Sequence, residues 1–386
     1  MPRSLFDPGR GHRVPVYLWA RDTSVETIAQ LERIACRPYA VLRVAAMADA
    51  HVSEGVAVGT VFATERTVVP RALGGDLGCG VSALRLSVPA HELERRSLDR
   101  AIAAMVRAIP AGDAIHRGRG GAVPDTLFEG ELSTRTLERT RDALTARHLG
   151  TLGGGNHFLE IDRDAEGSAW LLVHSGSRGL GAAVAAHHVR AAEAIDPDPL
   201  AGLDTESPEG RAYLGDLAWT LSFARANRAA LARRALSVLS DVLGHEVTAE
   251  SEVDIHHNFV ARERWEERDL FIHRKGAVAI PHGAQAIIPG SMATASYLVS
   301  GMGCELAFGS CSHGAGRVMT RREARARVRP EALTRAMRRI AWPEHLARRL
   351  VEEAPAVYRD IGEVLDDQED LVVRERRLEP IAVLKG

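Results

Sequence analysis

Lysine is almost missing from this chain. Of its 49 basic residues among 386, only Lys275 and Lys385 are lysines. Genomic base composition accounts for such a bias; the other reading is that a surviving lysine is kept for its compact ammonium. Cysteine is scarce as well. Cys36, Cys79, Cys304 and Cys311 are the four present, with no CxxC spacing, which excludes a disulfide framework and points to a reducing, cytoplasmic setting. No run of ~18 apolar residues occurs, so no spanning segment and no membrane partner is expected. The opening Met-Pro-Arg-Ser-Leu-Phe-Asp-Pro lacks the basic-then-apolar pattern of a signal peptide. A net charge of −2 excludes a protein that coats nucleic acid by bulk charge, though not a local basic channel. No repeat of ~20–50 residues is visible, which excludes solenoids and propellers.

What is present is an ordinary globular composition, 45% hydrophobic and 26% charged, long enough to bury a core without staples. Short apolar runs broken by glycine over residues 40–70 predict strands and turns. Helices are expected near 92–109, over 134–148, and from about Leu214 to Leu243, the longest. A Gly/Arg-rich loop is expected around His116 to Gly121, and Trp170 to Val173 reads as a short buried strand. Ala277 to Pro281 and Gln285 to Pro289 form a candidate strand pair. Residues 321–365 read as mostly helical, and Ile381 to Gly386 as strand-like. No Pro/Ser-rich linker divides the chain, and the candidate chemistry runs from residue 49 to the last turn. One intertwined domain over 1–386 is the expectation.

Histidines and carboxylates gather in turn-like settings: Asp49-Ala50-His51, Asp76-Leu77-Gly78-Cys79, Asn156-His157, His174-Ser175-Gly176, Asp254-Ile255-His256-His257, His273-Arg274-Lys275 and Ser312-His313-Gly314. Loops beside glycine present side chains at the edge of a site. Asp76 and Cys79, three apart in a tight turn, could share one metal, and a mixed Asp/Cys/His set suits a divalent transition ion better than Mg²⁺ or Ca²⁺. Each has a plainer reading, the cysteine as a small core residue and each histidine as a satisfied structural one. His187 and His188, on a helical face without glycine, read as structural. Spacing alone leaves both a metalloenzyme and a purely structural reading open.

Longer stretches add more. Gly150-Thr151-Leu152-Gly153-Gly154-Gly155-Asn156-His157-Phe158-Leu159-Glu160, Val173 to Gly181, His273 to Ala277, Ile288-Pro289-Gly290-Ser291-Met292-Ala293-Thr294-Ala295-Ser296-Tyr297 and Gly309 to Arg317 each resemble motifs of the RtcB family of RNA-splicing ligases. So do Gly75 to Gly80 and the terminal Val383-Leu384-Lys385-Gly386. The resemblance spans roughly Asp49 to Gly386, in the family's order. It implies an α+β fold: a single large domain of mixed β-sheets and surrounding helices around a central metal and nucleotide cleft. It also implies a ligase that joins an RNA 3′-phosphate or 2′,3′-cyclic phosphate to a 5′-hydroxyl with GTP and two Mn²⁺ ions.

By the same resemblance the metal positions are Asp76, Cys79, His157, His174 and His257, and His313 is the nucleophile that becomes guanylylated. Arg317 and Arg178 are candidate phosphate contacts, and so is Asn156. Phe158 and Glu160 fall where the family holds guanosine; Ser291 and Ser296 match further phosphate and base contacts, and Lys385 a lysine at the guanine site. Both lysines of the chain lie inside these motifs, which supports the resemblance independently. A lysine nucleophile is the rival, but neither lysine sits in a Lys-x-Asp-Gly context. An archease-like activator is a possible partner of such an enzyme.

The chain departs from the family in places. Asp49-Ala50-His51-Val52-Ser53-Glu54 keeps the Asp and His but lacks the usual Pro and aromatic, and Glu54 adds negative charge near a site for polyanions. Cys311-Ser312 replaces the usual Thr-Cys order before the histidine. Arg321, Arg322, Arg325, Arg327, Arg329, Arg338, Arg339, Arg348 and Arg349 form the best RNA-backbone candidate, against the reading of a solvated helix face. Two further functions stay open: guanylylation of 3′-phosphate ends of RNA or DNA without efficient sealing, and an idle binding protein of an RNA-repair assembly.

Overall fold

The computed structural model describes residues 2–118 and 123–386; the Gly/Arg-rich loop expected around His116 to Gly121 lies partly outside them. Two sheets dominate. A six-stranded sheet runs in the order β1 (Arg3–Leu5), β2 (Val16–Leu18), β3 (Val41–His51), β4 (Val58–Thr64), β12 (Arg268–Lys275), β11 (Asn258–Trp265). A seven-stranded sheet runs β10 (Ala249–His256), β6 (Gly80–Pro89), β8 (Ser168–Ser175), β7 (Phe158–Arg163), β17 (Val372–Lys385), β15 (Ser296–Gly301), β14 (Gln285–Ile288). Two short pairs complete the strands: β13 (Ala277–Ala279) with β16 (Ser310–Ser312), and β5 (Thr67–Val68) with β9 (Leu203–Asp204).

β8 explains the larger sheet. Its Ala-Trp-Leu-Leu-Val run is buried at every position, as expected of a central strand covered on both faces. Leu171 and Val173 join Ile102, Met105, Leu231 and Ala235 from two helices. Trp170 and Leu172 face the opposite way, against Val81, Ala83, Leu298 and Leu378. The covering helices are Arg95–Ala108 and the 36-residue Pro208–Leu243. The long helix begins earlier than the apolar period predicts, because Ser207 caps it by accepting from the Gly210 N–H and Pro208 supplies a pre-set first turn.

The chain passes from one sheet to the other at a single residue, His257, between β10 and β11. Three main-chain bonds pin this crossing: His257 N–H to the Cys79 carbonyl at 2.9 Å, Gly78 N–H to the Asn258 carbonyl at 2.9 Å, and Ala277 N–H to the His257 carbonyl at 3.1 Å.

One expectation needs correction. The runs Ala277 to Pro281 and Gln285 to Pro289 do not pair with each other; β13 pairs with β16 and β14 with β15. Both runs are short and apolar, and such a run does not specify its partner; the pairing observed places Val278, Cys311, Ala286 and Ile288 in one core cluster. Residues 321–365 are mostly helical, as expected, but in short pieces, Arg321–Arg327, Pro330–Ala336, Ala347–Leu350 and Ile361–Asp366, with 3₁₀ turns between them; Pro330, Pro343 and Pro355 interrupt any longer helix. Among the described residues no helix is long and apolar enough to cross a membrane.

Candidate active site

Three adjacent strands of the seven-stranded sheet end side by side and deliver a cluster. Cys79 immediately precedes β6, His157 immediately precedes β7, and His174 lies near the end of β8, opposite Val81 and Phe158. Cys79 leaves a turn closed by its own N–H to the Asp76 carbonyl at 3.2 Å. Gly80 cannot be replaced cheaply there, since a Cβ would stand 2.0 Å from the Ile255 carbonyl oxygen. Cys79 Sγ lies 3.4 Å from His157 Nε2 and 3.3 Å from His174 Nε2. Asp76 Oδ2 lies 3.4 Å from His157 Nε2. The His174 and His257 ring centres are 5.2 Å apart.

The far nitrogens are fixed by the main chain. His157 Nδ1 donates to the Leu152 carbonyl at 2.9 Å and His174 Nδ1 to the Asn156 carbonyl at 3.1 Å. Both Nε2 lone pairs therefore face the cluster, the arrangement that metal-binding imidazoles adopt. Burial, then the neighbouring His257 and His157, pushes His174 well below the usual imidazole range; burial and His313 do the same to His257. Burial, then the Asp76 charge, pushes the Cys79 thiol up. Among the described residues, His257 Nδ1 is buried without a hydrogen-bond partner. Neutral imidazoles, a soft sulfur and a carboxylate within one small space are the donor set of a divalent transition ion. Cys79, His157 and His174 could hold one such ion, their donor atoms lying within 4.8 Å of one another, with Asp76 and His257 beside them.

A cleft of about 1500 Å³ opens over this cluster. His313 follows β16 and looks into it, 14% of its side chain exposed. Its Nδ1 is 2.6 Å from Asp49 Oδ2 and its main-chain N–H donates to the same oxygen at 3.3 Å. Asp49 is fully buried in β3, and its own N–H donates to Ser312 Oγ at 3.3 Å. Among the described residues that Nδ1 contact lacks hydrogen-bond alignment, but Nδ1 is buried against the carboxylate, which leaves Nε2 as the ring nitrogen for chemistry; the ring centre is 4.8 Å from that of His257. Gly276, at φ 61°, lets the ring in: a Cβ there would fall 2.2 Å from Val58 Cγ1 and 3.2 Å from His313 Cε1.

At the other end, Phe158 and Glu160 project from β7. Lys385 Nζ donates to the Asn156 carbonyl at 3.1 Å, lies 5.1 Å above the Phe158 ring and is 3.5 Å from Glu353 Oε2. Ser296 Oγ donates to Glu160 Oε1 at 3.4 Å. Burial raises Glu160 above the usual carboxylate range, against the Lys385 ammonium. Ser291 Oγ is 2.8 Å from Thr294 Oγ1 in its turn.

Asp76, Cys79, Asn156, Phe158, Glu160, His174, His257, Ser291, Ser296, His313, Arg317 and Lys385 all border the cleft. The two expected residues that do not border it are His157, which joins the metal cluster from behind, and Arg178. The Arg178 guanidinium lies against Gly153, 3.4 Å from His157 Nδ1, where it braces the ligand loop. Arg317 faces the cleft with its N–H groups engaged: Nε to the Met319 carbonyl at 3.1 Å, Nη2 to the Glu352 carbonyl at 2.7 Å, Nη1 to Glu353 at 3.2 Å. Of the arginine run, Arg321 borders the cleft and pairs with Glu352 and Glu353 at 3.6 Å.

Lys275 Nζ donates to the Glu54 and Val56 carbonyls, both at 2.7 Å, and burial pushes it down to about 8. His188 is buried against Asp216 at 2.7 Å, the structural role expected of it. Sequence reasoning assigned no role to Asp49 or Glu353. The Asp-x-His pattern was a signal for the first; nothing marks Glu353 within a run of charged residues. It also missed Asn227, deep in the long helix, which accepts from Gly150 and Thr151 N–H at 2.7 and 3.2 Å. The same side chain donates to the Thr151 and Gly176 carbonyls at 3.1 and 3.2 Å.

A family model described as tRNA-splicing ligase RtcB matches residues 30–126 and 126–386. The chain is similar to the RNA-splicing ligase RtcB of Escherichia coli K12, 33% identical over 400 residues, covering 96% of this chain and 97% of that protein. It is 31% identical over 442 residues to the RNA-splicing ligase RtcB of Mycobacterium tuberculosis, covering 92% and 100%. It is 30% identical over 460 residues to the tRNA-splicing ligase RtcB of Nanoarchaeum equitans, covering 97% and 95%.

Proposed function

The chain belongs to the RtcB family of RNA-splicing ligases, and from that premise we propose that it joins RNA 3′-phosphate or 2′,3′-cyclic phosphate ends to 5′-hydroxyl ends, using GTP and Mn²⁺ through a histidine–GMP intermediate. The observation that carries this reading is His313: Nδ1 lies 2.6 Å from the buried Asp49 carboxylate, and Nε2 is left to the cleft beside the Cys79 and histidine cluster.

Asp76, Cys79, His157, His174 and His257 are the residues that would hold the two ions. Bound there, Mn²⁺ would neutralise phosphate charge and favour in-line attack at phosphorus. The protein's own groups do the rest. Asp49 keeps His313 in the tautomer whose Nε2 carries the lone pair and stabilises the charge that the ring gains on attack. Nε2 bonds to the α-phosphorus of GTP as the bond to the pyrophosphate oxygen breaks, and the GMP then passes to an oxygen of the RNA 3′-phosphate. The 5′-hydroxyl oxygen next bonds to that 3′-phosphorus, and GMP leaves. Phe158 offers a face for the base, Glu160 accepts from guanine N1–H and N2–H, and Lys385 offsets the carboxylate charge. Asn156, Ser291, Ser296 and Arg317 complete the nucleotide contacts, Arg317 after exchanging Glu353 for phosphate, while Arg178, outside the cleft, acts by bracing the His157 loop. All of 1–386 forms one domain on this reading; its setting is the cytoplasm, and an archease-like protein is a candidate activator.

Guanylylation without efficient sealing is a second reading, favoured by Glu54, whose 92% exposed side chain adds negative charge next to the cleft residue Ser53. Label transfer from α-labelled GTP with Mn²⁺ tests the first step. Covalent label on the wild type and on Lys275→Ala but not on His313→Ala is expected; label surviving in His313→Ala overturns the nucleophile. Capped 3′ ends that accumulate without joined product would favour the second reading.

A further inference from the structure

The face of β7 that turns Phe158 and Glu160 toward the nucleotide end also carries Asp162. Two apart on a strand, Glu160 and Asp162 point the same way, both are buried, and each carboxyl group acts on the other. Asp162 has 0% of its surface accessible. Among the described residues, no N–H or O–H reaches either of its oxygens. Glu160 is placed differently: it accepts from Ser296 Oγ and has the Lys385 ammonium nearby.

Two carboxyl groups in contact inside a protein do not both ionise, so the pair holds a proton. Its position follows from the surroundings. Lys385 and Ser296 stabilise a charge on Glu160, while nothing donates to a charge on Asp162. Burial, and then the charge on Glu160, drives the Asp162 carboxyl well above its usual range. Asp162 is thus the acid of the pair, and its O–H donates to Glu160.

Where that proton sits decides which base the cleft accepts. An ionised carboxylate only accepts hydrogen bonds; a protonated one also donates. Guanine offers two donors side by side, N1–H and N2–H, which an ionised Glu160 satisfies. Adenine offers the acceptor N1 beside the donor N6–H₂, which a protonated Glu160 would match. We propose that Asp162 is a positioning residue for nucleotide choice: by keeping the proton itself, it leaves Glu160 acceptor-only and selects guanine over adenine. This inference rests on the reading of Glu160 as the acceptor for the base. No further group is required, because the proton stays within the pair throughout.

The test is the concentration dependence of label transfer to the full-length protein, with α-labelled GTP and, separately, α-labelled ATP, in wild type, Asp162→Asn, Asp162→Leu and Glu160→Gln. An asparagine amide keeps an N–H donor toward Glu160, so Asp162→Asn should hold the wild-type KM for GTP and the preference for GTP. Asp162→Leu should raise KM for GTP about tenfold with the maximal rate little changed, and narrow the GTP-to-ATP preference by a similar factor. Equal losses in the Asn and Leu variants, or no loss in Leu, would overturn the role of Asp162. Glu160→Gln separates the two readings. If it changes KM and preference while Asp162→Leu does not, the base contact stands and the role of Asp162 falls. If it changes neither, both fall. Should Asp162→Leu not fold, infrared spectroscopy decides: a neutral carboxylic acid C=O stretch in the wild type that Asp162→Asn removes is expected, and its absence from the wild type overturns the proposal.

Discussion

At the floor of the cleft, His157, His174 and Cys79 are held by main chain: carbonyls of Leu152 and Asn156 fix the two rings, and the turn from Asp76 fixes the sulfur. At the mouth, Arg321 meets Glu352, and Arg325, one helical turn farther on, meets the same carboxylate, side chain to side chain, with 64% of the Arg325 side chain exposed. The floor cannot rearrange without moving strands, whereas each mouth contact can break for the cost of an exposed ion pair. On the proposed reading, a site that holds ions at fixed spacing and admits two RNA ends needs both kinds of construction. The difference teaches where rigidity is spent.

Substitutions at the floor and the mouth should separate the two most sharply. Asn227→Ala removes the side chain that ties Gly150, Thr151 and Gly176 to the long helix and leaves those buried groups unpaired. It should cost about 3–5 kcal/mol in chemical denaturation and weaken Mn²⁺ binding by about tenfold in calorimetry; a loss below 1 kcal/mol would erase the contrast. Asp49→Ala frees the His313 ring, and single-turnover label transfer should slow about a hundredfold with the fold retained.

Lys275 offers an intermediate case, buried and held by two main-chain carbonyls. Its ammonium is pushed from 10.5 to about 8 on folding, so the folded chain binds fewer protons than the unfolded one between those values. Stability contributed at this site should rise with pH from about 8 to 10.5, by at most about 1.4 kcal/mol per unit, and stay level below 8. Denaturation at several pH values should show the wild type gaining on Lys275→Met in that window. The smallest effect belongs to the mouth: Arg325→Ala should change unfolding by under about 1 kcal/mol, and less at high salt.

The sequence made the strand ends legible because glycine and histidine at the ends of apolar runs mark where backbone bends and side chains emerge. Cys79, His157, His174 and His257 do converge, and His313 does face them. What stayed hidden were partners supplied from far along the chain. Asn227 reads as one more polar residue in a helix, yet it is fully buried, and Glu353 reads as one of two adjacent glutamates but pairs with both Arg317 and Lys385. Strand partners failed for the same reason, since β13 and β14 carry apolar runs too short to name β16 and β15. Local pattern fixes what a residue can do; only tertiary contact decides with whom.

Asp49 and His313 touch across 264 positions of sequence, and the chain changes sheets at His257 between them. The proposed nucleophile and the group that orients it therefore cannot be inherited as a short cassette. A crossover that exchanged one end of this gene for a distant homologue's would have to preserve a fit between two strands that meet only in the finished fold. Descent of such a site favours slow co-variation over shuffling, and the natural place to look for compensating changes in its lineage is across that one buried contact.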